Sequence, residues 1–205
     1  MIAFLHTSKV HVDRFEKLVQ LIDGNRTTKH YVQEDLLEYA LTNERTNSLA
    51  FRDQVDAIKK DNPSVIICTC STYGEECDQL DGVYRIDRPI VQYIISKYQK
   101  IGLVYTVNST KEISTNLLFA TAKQLGVKIE IVNCDCSKHW IHFESGNQEK
   151  YEKQIATSIK SIEDDVDVVF LAQASMESVK KNLSNFNKEI FSSPEYGVRN
   201  LLQTL

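Results

Sequence analysis

Glycine is scarce in this sequence, and its few glycines lie far apart. Seven occur in 205 residues, at positions 24, 74, 82, 102, 126, 146 and 197. No two have the spacing of a G-x-G-x-x-G turn or of a P-loop, the glycine-rich loops that hold nucleotide phosphates. Classical dinucleotide and P-loop nucleotide sites are therefore not expected.

An excess of one charge and a long apolar run are also missing. The 24 basic and 28 acidic residues are interspersed and give a net charge of −4. Binding to nucleic acid or to a membrane surface requires a basic face, and no apolar run approaches the roughly 20 residues that span a bilayer. The amino terminus lacks the basic start of a signal peptide. We expect a cytoplasmic protein without a nucleic-acid or membrane partner.

The five cysteines lack the spacings of the common metal and redox motifs. Neither C-x-x-C nor H-E-x-x-H occurs, and a cytoplasmic chain keeps its cysteines as thiols. A zinc site would require folding to bring together two C-x-C pairs, Cys68 with Cys70 and Cys134 with Cys136. Because cysteine is more often simply buried, we expect no metal. The acidic residues between 75 and 81 are interpreted as a solvated loop.

Short runs rich in β-branched residues alternate with longer segments of helical period. Predicted strands cover 2–6, 29–32, 64–68, 101–106, 127–132, 166–171 and 189–191. Helices are predicted at 12–22, at two stretches within 34–60, at 89–98, 111–125 and 149–163, and from positions 175 and 194 onward. This alternation predicts an α/β fold with parallel sheets that are covered by helices on both faces.

The order of these elements repeats along the chain. Three segments recur at shifts of 99, 103 and 105 residues, which pair Ile2 with Ile101, Val65 with Val168 and Pro89 with Pro194. Chance rarely gives three junctions in the same order at nearly constant spacing. We predict two similar, doubly wound lobes related by a pseudo-dyad, with the active site in the cleft between them. Lobe one is predicted to span 1–98 plus 193–205, and lobe two 99–192.

Ligands of open parallel sheets bind beyond the carboxyl ends of the strands, where helix amino termini present free N–H groups. The corresponding junctions of this sequence are rich in small hydroxyl side chains. The candidate substrate-binding residues there are Thr7, Ser8, Ser71, Thr72, Thr106, Asn108, Ser109, Thr110, Ala174 and Ser175. Because Lys and Arg are nearly absent among them, we expect a carboxylate or a similar compact anion. The alternative is that these hydroxyls serve only as helix caps.

Cys70 is the one strongly nucleophilic or acid–base residue type at these junctions. At a helix amino terminus, its pKa is expected to fall from about 8.5 toward neutrality. A thiol of this kind can act as general acid or base on a weakly acidic C–H bond. The alternative is a buried thiol with a purely structural role.

Several segments, in order along the chain, resemble motifs of the aspartate/glutamate/hydantoin racemase superfamily. They are ICTCST at 67–72, YRIDRP at 84–89, KIGLVYT at 100–106 with ST at 109–110, LAQASM at 171–176 and SSPEYGV at 192–198. The resemblance implies a two-lobed α/β fold and proton transfer at the α-carbon of a small carboxylate or related carbonyl compound. It also implies that no cofactor is needed, neither pyridoxal phosphate nor a metal, and it makes a homodimer plausible.

In that family two thiols, one in each lobe, exchange protons with opposite faces of a carbon atom. By the resemblance, Cys70 matches the first thiol, and the dyad-related position of the second is Gln173. An amide cannot exchange a proton at a useful pKa, but it can donate hydrogen bonds to a developing oxyanion. Both residues are therefore candidate catalytic residues, with different roles.

Three classes of function remain open at this point. The first is an enzyme with one catalytic thiol, such as a decarboxylase or an isomerase. The second is a racemase or epimerase whose other base comes from elsewhere, with His6, Tyr105 and His142 as candidates by residue type. The third is a non-catalytic small-molecule-binding or regulatory protein that retains the fold. Cys70 favours the first two classes, and the absence of a second thiol disfavours a racemase with paired thiols.

The segment 134–143 contains the single tryptophan together with two histidines and two cysteines. One interpretation is a short lid over the cleft that shapes substrate choice and excludes water. The other is a hydrophobic anchor that packs on lobe two. The sequence favours neither.

Overall fold

The computed structural model describes residues 1–204. Contacts between residues divide the chain into two compact units, one with Met1–Asp87 and the residues from Pro194 onward, the other with Arg88–Ser193. Leu205, the last residue of the predicted lobe one, lies outside the described residues. Within residues 1–204, no helix combines the length and the apolar character needed to cross a membrane.

The elements follow the predicted alternation of strands and helices. The strands are β1 (Ile2–His6), β2 (Thr28–Val32), β3 (Val65–Cys68), β4 (Val83–Arg85), β5 (Lys100–Tyr105), β6 (Glu130–Asp135), β7 (Val168–Leu171) and β8 (Glu189–Ser192). The α-helices are α1 (Val12–Asp23), α2 (Glu34–Asn43), α3 (Ser48–Lys59), α4 (Gly74–Cys77), α5 (Arg88–Lys97), α6 (Asn108–Leu125), α7 (Trp140–Glu144), α8 (Gln148–Lys160) and α9 (Ser193–Thr204). Short 3₁₀ helices lie at Lys9–His11, Ser71–Tyr73, Ser137–His139, Glu163–Asp165 and Ala174–Asn182.

Each unit contains one four-stranded parallel sheet, and the two sheets have the same strand order. The order is β2-β1-β3-β4 in the first unit and β6-β5-β7-β8 in the second. The registers also agree, because Ile2 pairs with Val65 and Ile101 pairs with Val168. These pairs reproduce the shifts of 99 and 103 residues, so the predicted α/β fold with duplicated sheets is confirmed.

The edge strand β4 was absent from the predicted elements. It has three residues, too few to give a periodic pattern, and it ends at Arg85, whose partner in the register is Cys68. In the second sheet Leu171 pairs with Ser192, so these edge strands align at a shift of 107 and not 105. The difference arises because two residues separate β4 from α5, whereas α9 follows β8 directly.

The cores of the two units are built alike from one face of the sheet and its covering helices. Phe51 and Val55 of α3 pack against Leu5 of β1 in the first unit. In the second unit, Tyr151 and Ile155 of α8 pack against the sheet. Both helices begin with an asparagine cap, since Asn47 accepts a hydrogen bond from Ala50 N–H and Asn147 accepts one from Lys150 N–H.

The two helices that follow the edge strands are divided between the units in a reciprocal way. Helix α5 follows β4 of the first unit but packs on α6 in the second, whereas the predicted boundary at position 98 assigned it to lobe one. Helix α9 follows β8 of the second unit, and its residues from Pro194 onward belong to the first. Glycine at position 197 allows close contact there, since a Cβ would lie 2.2 Å from the carbonyl oxygen of Ile86.

Candidate active site

In the first unit, the ends of β1 and β3 bring Thr7 and Cys70 together. The two strands are parallel neighbours in the sheet, so the residues that follow them emerge at the same edge. The Thr7 hydroxyl hydrogen-bonds to the Cys70 sulfur, and the backbone N–H groups of Thr72 and Tyr73 also point to it, although the Tyr73 N–H is shared with the Cys70 carbonyl oxygen at 3.2 Å. Three donors thus converge on one half-buried thiol.

The predicted fall in the pKa of Cys70 is wrong. Burial of the thiol, reinforced by the neighbouring Cys68, raises the pKa of Cys70 to about 11. The three hydrogen bonds lower the pKa but do not compensate for desolvation. The helical elements after Cys70 are only the 3₁₀ helix Ser71–Tyr73 and the four-residue α4, which provide little helix dipole. At neutral pH, Cys70 is therefore a protonated thiol.

The other predicted residues of the first unit lie at the same strand ends. Ser8 is half-buried and precedes the 3₁₀ helix Lys9–His11, and Ser71 and Thr72 are buried within the 3₁₀ helix after Cys70. Neither Ser8 nor Cys70 caps the following 3₁₀ helix through its side chain. The Ser8 hydroxyl is thus not used as a cap, which was the alternative explanation of the hydroxyl side chains.

A buried ion pair holds the segment after Cys70 in place. The Arg85 guanidinium forms two hydrogen bonds to the Asp87 carboxylate, at 2.7 and 3.0 Å, and a third to Asp78 at 3.2 Å. It lies against Gly74, where a Cβ would be 2.3 Å from Arg85 Cζ. The first residue of α4 must therefore be glycine for the guanidinium to fit.

Of the acidic residues interpreted as a solvated loop, Asp81 is exposed as expected, but the interpretation is wrong for Glu76. Glu76 lies in α4 and is buried, and its Oε1 accepts hydrogen bonds from the hydroxyl groups of Thr46 and Ser48. Asp78 pairs with Arg85. Both carboxylates fix α4 to its surroundings. No group of three His, Cys, Asp or Glu side chains within residues 1–204 is arranged to hold a metal ion.

In the second unit, Gln173 occupies the position that matches Cys70. Its side-chain Oε1 accepts hydrogen bonds from the backbone N–H of Thr106 at 2.7 Å and from the Thr106 hydroxyl at 3.0 Å. The Thr106 hydroxyl lies 3.2 Å from the Tyr151 hydroxyl, which lies 3.0 Å from that of Ser175. The repeat thus places a threonine beside the candidate catalytic side chain in both units.

The remaining candidates lie at the start of two helices of the second unit. Helix α6 begins at Asn108, three residues before the predicted start, so Asn108, Ser109 and Thr110 form its first turn. Asn108 is exposed and lines an open depression along α6, while Thr110 is buried. Ala174 is buried and begins the 3₁₀ helix that also contains Ser175, where an α-helix was predicted.

His6, a candidate second base by residue type, belongs to a buried hydrogen-bonded chain. Its Nδ1 lies 2.8 Å from the Thr69 hydroxyl, and its Nε2 lies 2.8 Å from Nδ1 of His30. His30 Nε2 lies 3.1 Å from the Glu16 carboxylate. Burial, together with His30 and His11, lowers the pKa of His6 to about 3, so its imidazole is neutral near pH 7. His30 and Glu16 were not found from the sequence, because no motif connects them to His6.

The other two candidate bases and the segment 134–143 lie within the second unit. Tyr105 is buried, and burial raises its pKa, so its hydroxyl is a poor base. His142 lies on α7, where its ring stacks on that of His139. Trp140 stacks on Phe143 with ring centroids 4.8 Å apart, and both pack on the hydrophobic core. Trp140 and Phe143 thus pack as expected for the second interpretation of this segment, the hydrophobic anchor.

Solved structures match this chain over nearly its whole length. Aspartate racemase from Picrophilus torridus superposes with a TM-score of 0.76 at 14% identity, over 99% of this chain and 93% of that one. A glutamate racemase from Bacillus anthracis superposes with a TM-score of 0.73 at 14% identity, over 100% of this chain and 81% of that one. A mutant of arylmalonate decarboxylase with associated sulfate superposes with a TM-score of 0.58 at 8% identity, over 98% of this chain and 91% of that one.

These likenesses concern the fold. No protein-family model matches the sequence, and neither does any curated protein. The chain has the fold of aspartate and glutamate racemases, so the fold that the predicted resemblance implied is confirmed. The roles of the individual residues have to be argued from their own surroundings.

Proposed function

We propose that this protein is a racemase-like enzyme that transfers a proton at the α-carbon of a small carboxylate or related carbonyl compound, with Cys70 as the acid or base and without a cofactor. One observation carries the proposal. The Thr7 hydroxyl and the Thr72 N–H direct hydrogen bonds to the Cys70 sulfur, and the Tyr73 N–H is shared between this sulfur and the Cys70 carbonyl oxygen. A purely structural thiol needs no such set of donors, whereas a sulfur that becomes a thiolate during a reaction does.

Because its pKa is raised, the Cys70 thiol of the resting enzyme can donate a proton but cannot accept one. The S–H form, present at neutral pH, can give its proton to a carbanion, and the three donors then stabilise the thiolate that remains. If the carbanion arises by loss of CO₂ from a malonate-type acid, the S–H hydrogen goes to carbon, and water returns a proton to sulfur. The fold's occurrence in a decarboxylase supports including this reaction.

Gln173 limits the stereochemical outcome. Its amide has no proton to exchange near neutral pH, so we propose that only one face of the substrate carbon is served by a thiol. Decarboxylation or isomerisation with a defined configuration fits this arrangement better than racemisation. A racemase with a second base elsewhere is the variant, and a binding protein without turnover is the alternative function.

The test is deuterium incorporation from D₂O into a panel of α-hydrogen carboxylates and malonate-type acids, followed by NMR and chiral chromatography. We expect wild-type protein to introduce deuterium on one face, and Cys70→Ser to introduce none, because an alcohol is too weak an acid. Cys77→Ser is the matched control, since Cys77 is a buried thiol of the same unit that contacts the Tyr73 carbonyl. Turnover retained in Cys70→Ser would refute the proposal, and exchange at both faces would reveal a second base.

A further inference from the structure

The hydrogen-bonded chain that ends at Gln173 has a fixed direction. The Thr106 backbone N–H can only donate, so the atom of Gln173 that faces it must be the oxygen Oε1 and not the amino nitrogen. Because Oε1 also accepts the Thr106 hydroxyl hydrogen, that hydroxyl has no further hydrogen to give. The orientation of the amide is thus set by its neighbours.

The same reasoning continues to the end of the chain. With its own hydrogen used, the Thr106 hydroxyl accepts from Tyr151, and Tyr151 in turn accepts from Ser175. Tyr151, Thr106 and Ser175 are almost completely buried. A directed series of hydroxyl groups therefore supports the carbonyl side of the Gln173 amide from the protein interior.

The amino side of this amide has no partner. Within residues 1–204, no side chain or backbone group hydrogen-bonds to Gln173 Nε2, and this nitrogen is not fully buried in the half-buried side chain. Both hydrogens of a positioned amide are thereby available to an acceptor. An anionic oxygen makes the stronger hydrogen bond to such a donor than a neutral one does.

We infer that Gln173 Nε2 binds a carboxylate or enolate oxygen of the ligand, and that Tyr151 is a positioning residue which orients the Gln173 amide for this purpose. The inference takes its ligand class from the proposed function but does not require turnover. It separates this chain from a protein with a thiol at the same place, since position 173 contributes a hydrogen-bond donor and no proton. Unit one has Phe51 at the helix position of Tyr151, four residues after the capping asparagine.

The experiment is a titration with malonate, observed through the ¹⁵N-labelled side-chain amide of Gln173 and assigned by its loss in Gln173→Glu. In wild-type protein we expect saturable shifts of this resonance. Tyr151→Phe, which installs the aromatic residue that unit one already contains, should weaken malonate binding about fivefold, the worth of one neutral hydrogen bond. Gln173→Glu should weaken it about tenfold or more by placing a negative charge at the acceptor site.

Thr106→Val provides a second way to interrupt the chain and covers the case in which Tyr151→Phe folds poorly. The losses of malonate affinity in Tyr151→Phe and Thr106→Val should not be additive, because both substitutions act through one series of hydrogen bonds. Tyr84→Phe, at an exposed tyrosine of the first unit, is the control that should bind as wild type. Unchanged malonate affinity in Tyr151→Phe and Thr106→Val, or a Gln173 resonance that malonate does not move, would overturn the inference. If wild-type protein shows the malonate-induced shifts of the Gln173 resonance but no deuterium exchange, only the proposed reaction is refuted.

Discussion

Burial and hydrogen bonding act on the sulfur of Cys70 in opposite directions, and burial prevails. The free energy of a thiolate in this place is raised by desolvation more than three donors lower it. Ligand binding can change that balance, because a substrate replaces water around the sulfur and brings charge of its own. The resting pKa therefore describes the starting state of the reaction and not its course.

The first prediction concerns the rate at which Cys70 is alkylated. Since a pKa of about 11 leaves little thiolate at pH 7, we expect iodoacetamide to modify Cys70 about 100-fold more slowly than a thiol with a pKa of 9. The rate of alkylation should rise with pH up to about pH 11. At pH 7 it should be lower still in Thr7→Val, because this variant lacks one donor that stabilises the thiolate. Peptide mass spectrometry measures the rate, with unfolded protein as the reference. A midpoint below pH 8 would contradict this picture.

The second prediction concerns the buried histidines of the first unit. The pKa values of His6 and His11 are lowered to about 3 and about 4, mainly by burial, so the folded protein stays neutral at both sites where the unfolded chain takes up protons. Stability is therefore full above about pH 6.5 and falls as the pH is lowered toward the folded pKa values. The groups that face His6 are His30, His11 and, through His30, Glu16.

Urea unfolding between pH 7 and pH 5 provides the measurement, because the carboxylates remain mostly ionised in that range. In His6→Gln the free energy of unfolding should depend less steeply on pH, by about 1.4 kcal/mol per pH unit below pH 6.5, the contribution of one proton. An identical slope in the variant and the wild type would show that His6 is protonated in the folded state.

At the scale of elements, we expect removal of α9 to destabilise the first unit and to leave the second unit unchanged. It starts at the end of β8, but Val198 and Leu201 are buried and the helix belongs to the first unit. Deleting the chain from position 193 should therefore expose the first sheet and leave the second intact. Hydrogen exchange followed by mass spectrometry should show lost protection in β1 and β3 and unchanged protection in β5 and β7. Equal loss in both sheets would contradict the assignment of α9.

The central strands were predictable from the sequence because their chemistry is local. β1, β3, β5 and β7 are short buried runs rich in β-branched and other apolar residues, so their positions and their repetition could be predicted. The edge strand β4 could not, because three residues give no pattern. β6 begins three residues later than predicted, because the Val127 N–H still hydrogen-bonds to the Ala122 carbonyl at the end of α6.

At the scale of the whole molecule, the sequence predicted which side chains lie close together better than it predicted their chemistry. Thr7 and Cys70 could be placed together because neighbouring parallel strands end at the same edge. Tyr151 could not be found, because it contacts Thr106 from a helix 45 residues further along the chain. The sign of the pKa shift of Cys70 was beyond reach too, since it depends on how deeply the sulfur is buried and on how short the following helices are.

The reciprocal placement of α5 and α9 has a consequence for the order in which the protein is made. The second unit, Arg88–Ser193, is one uninterrupted stretch of chain, whereas the first needs residues that precede this stretch and residues that follow it. On the ribosome, the stretch synthesised second is therefore the first to have all its parts. The first unit is incomplete, with the surface that α9 covers still exposed, until α9 has left the exit tunnel.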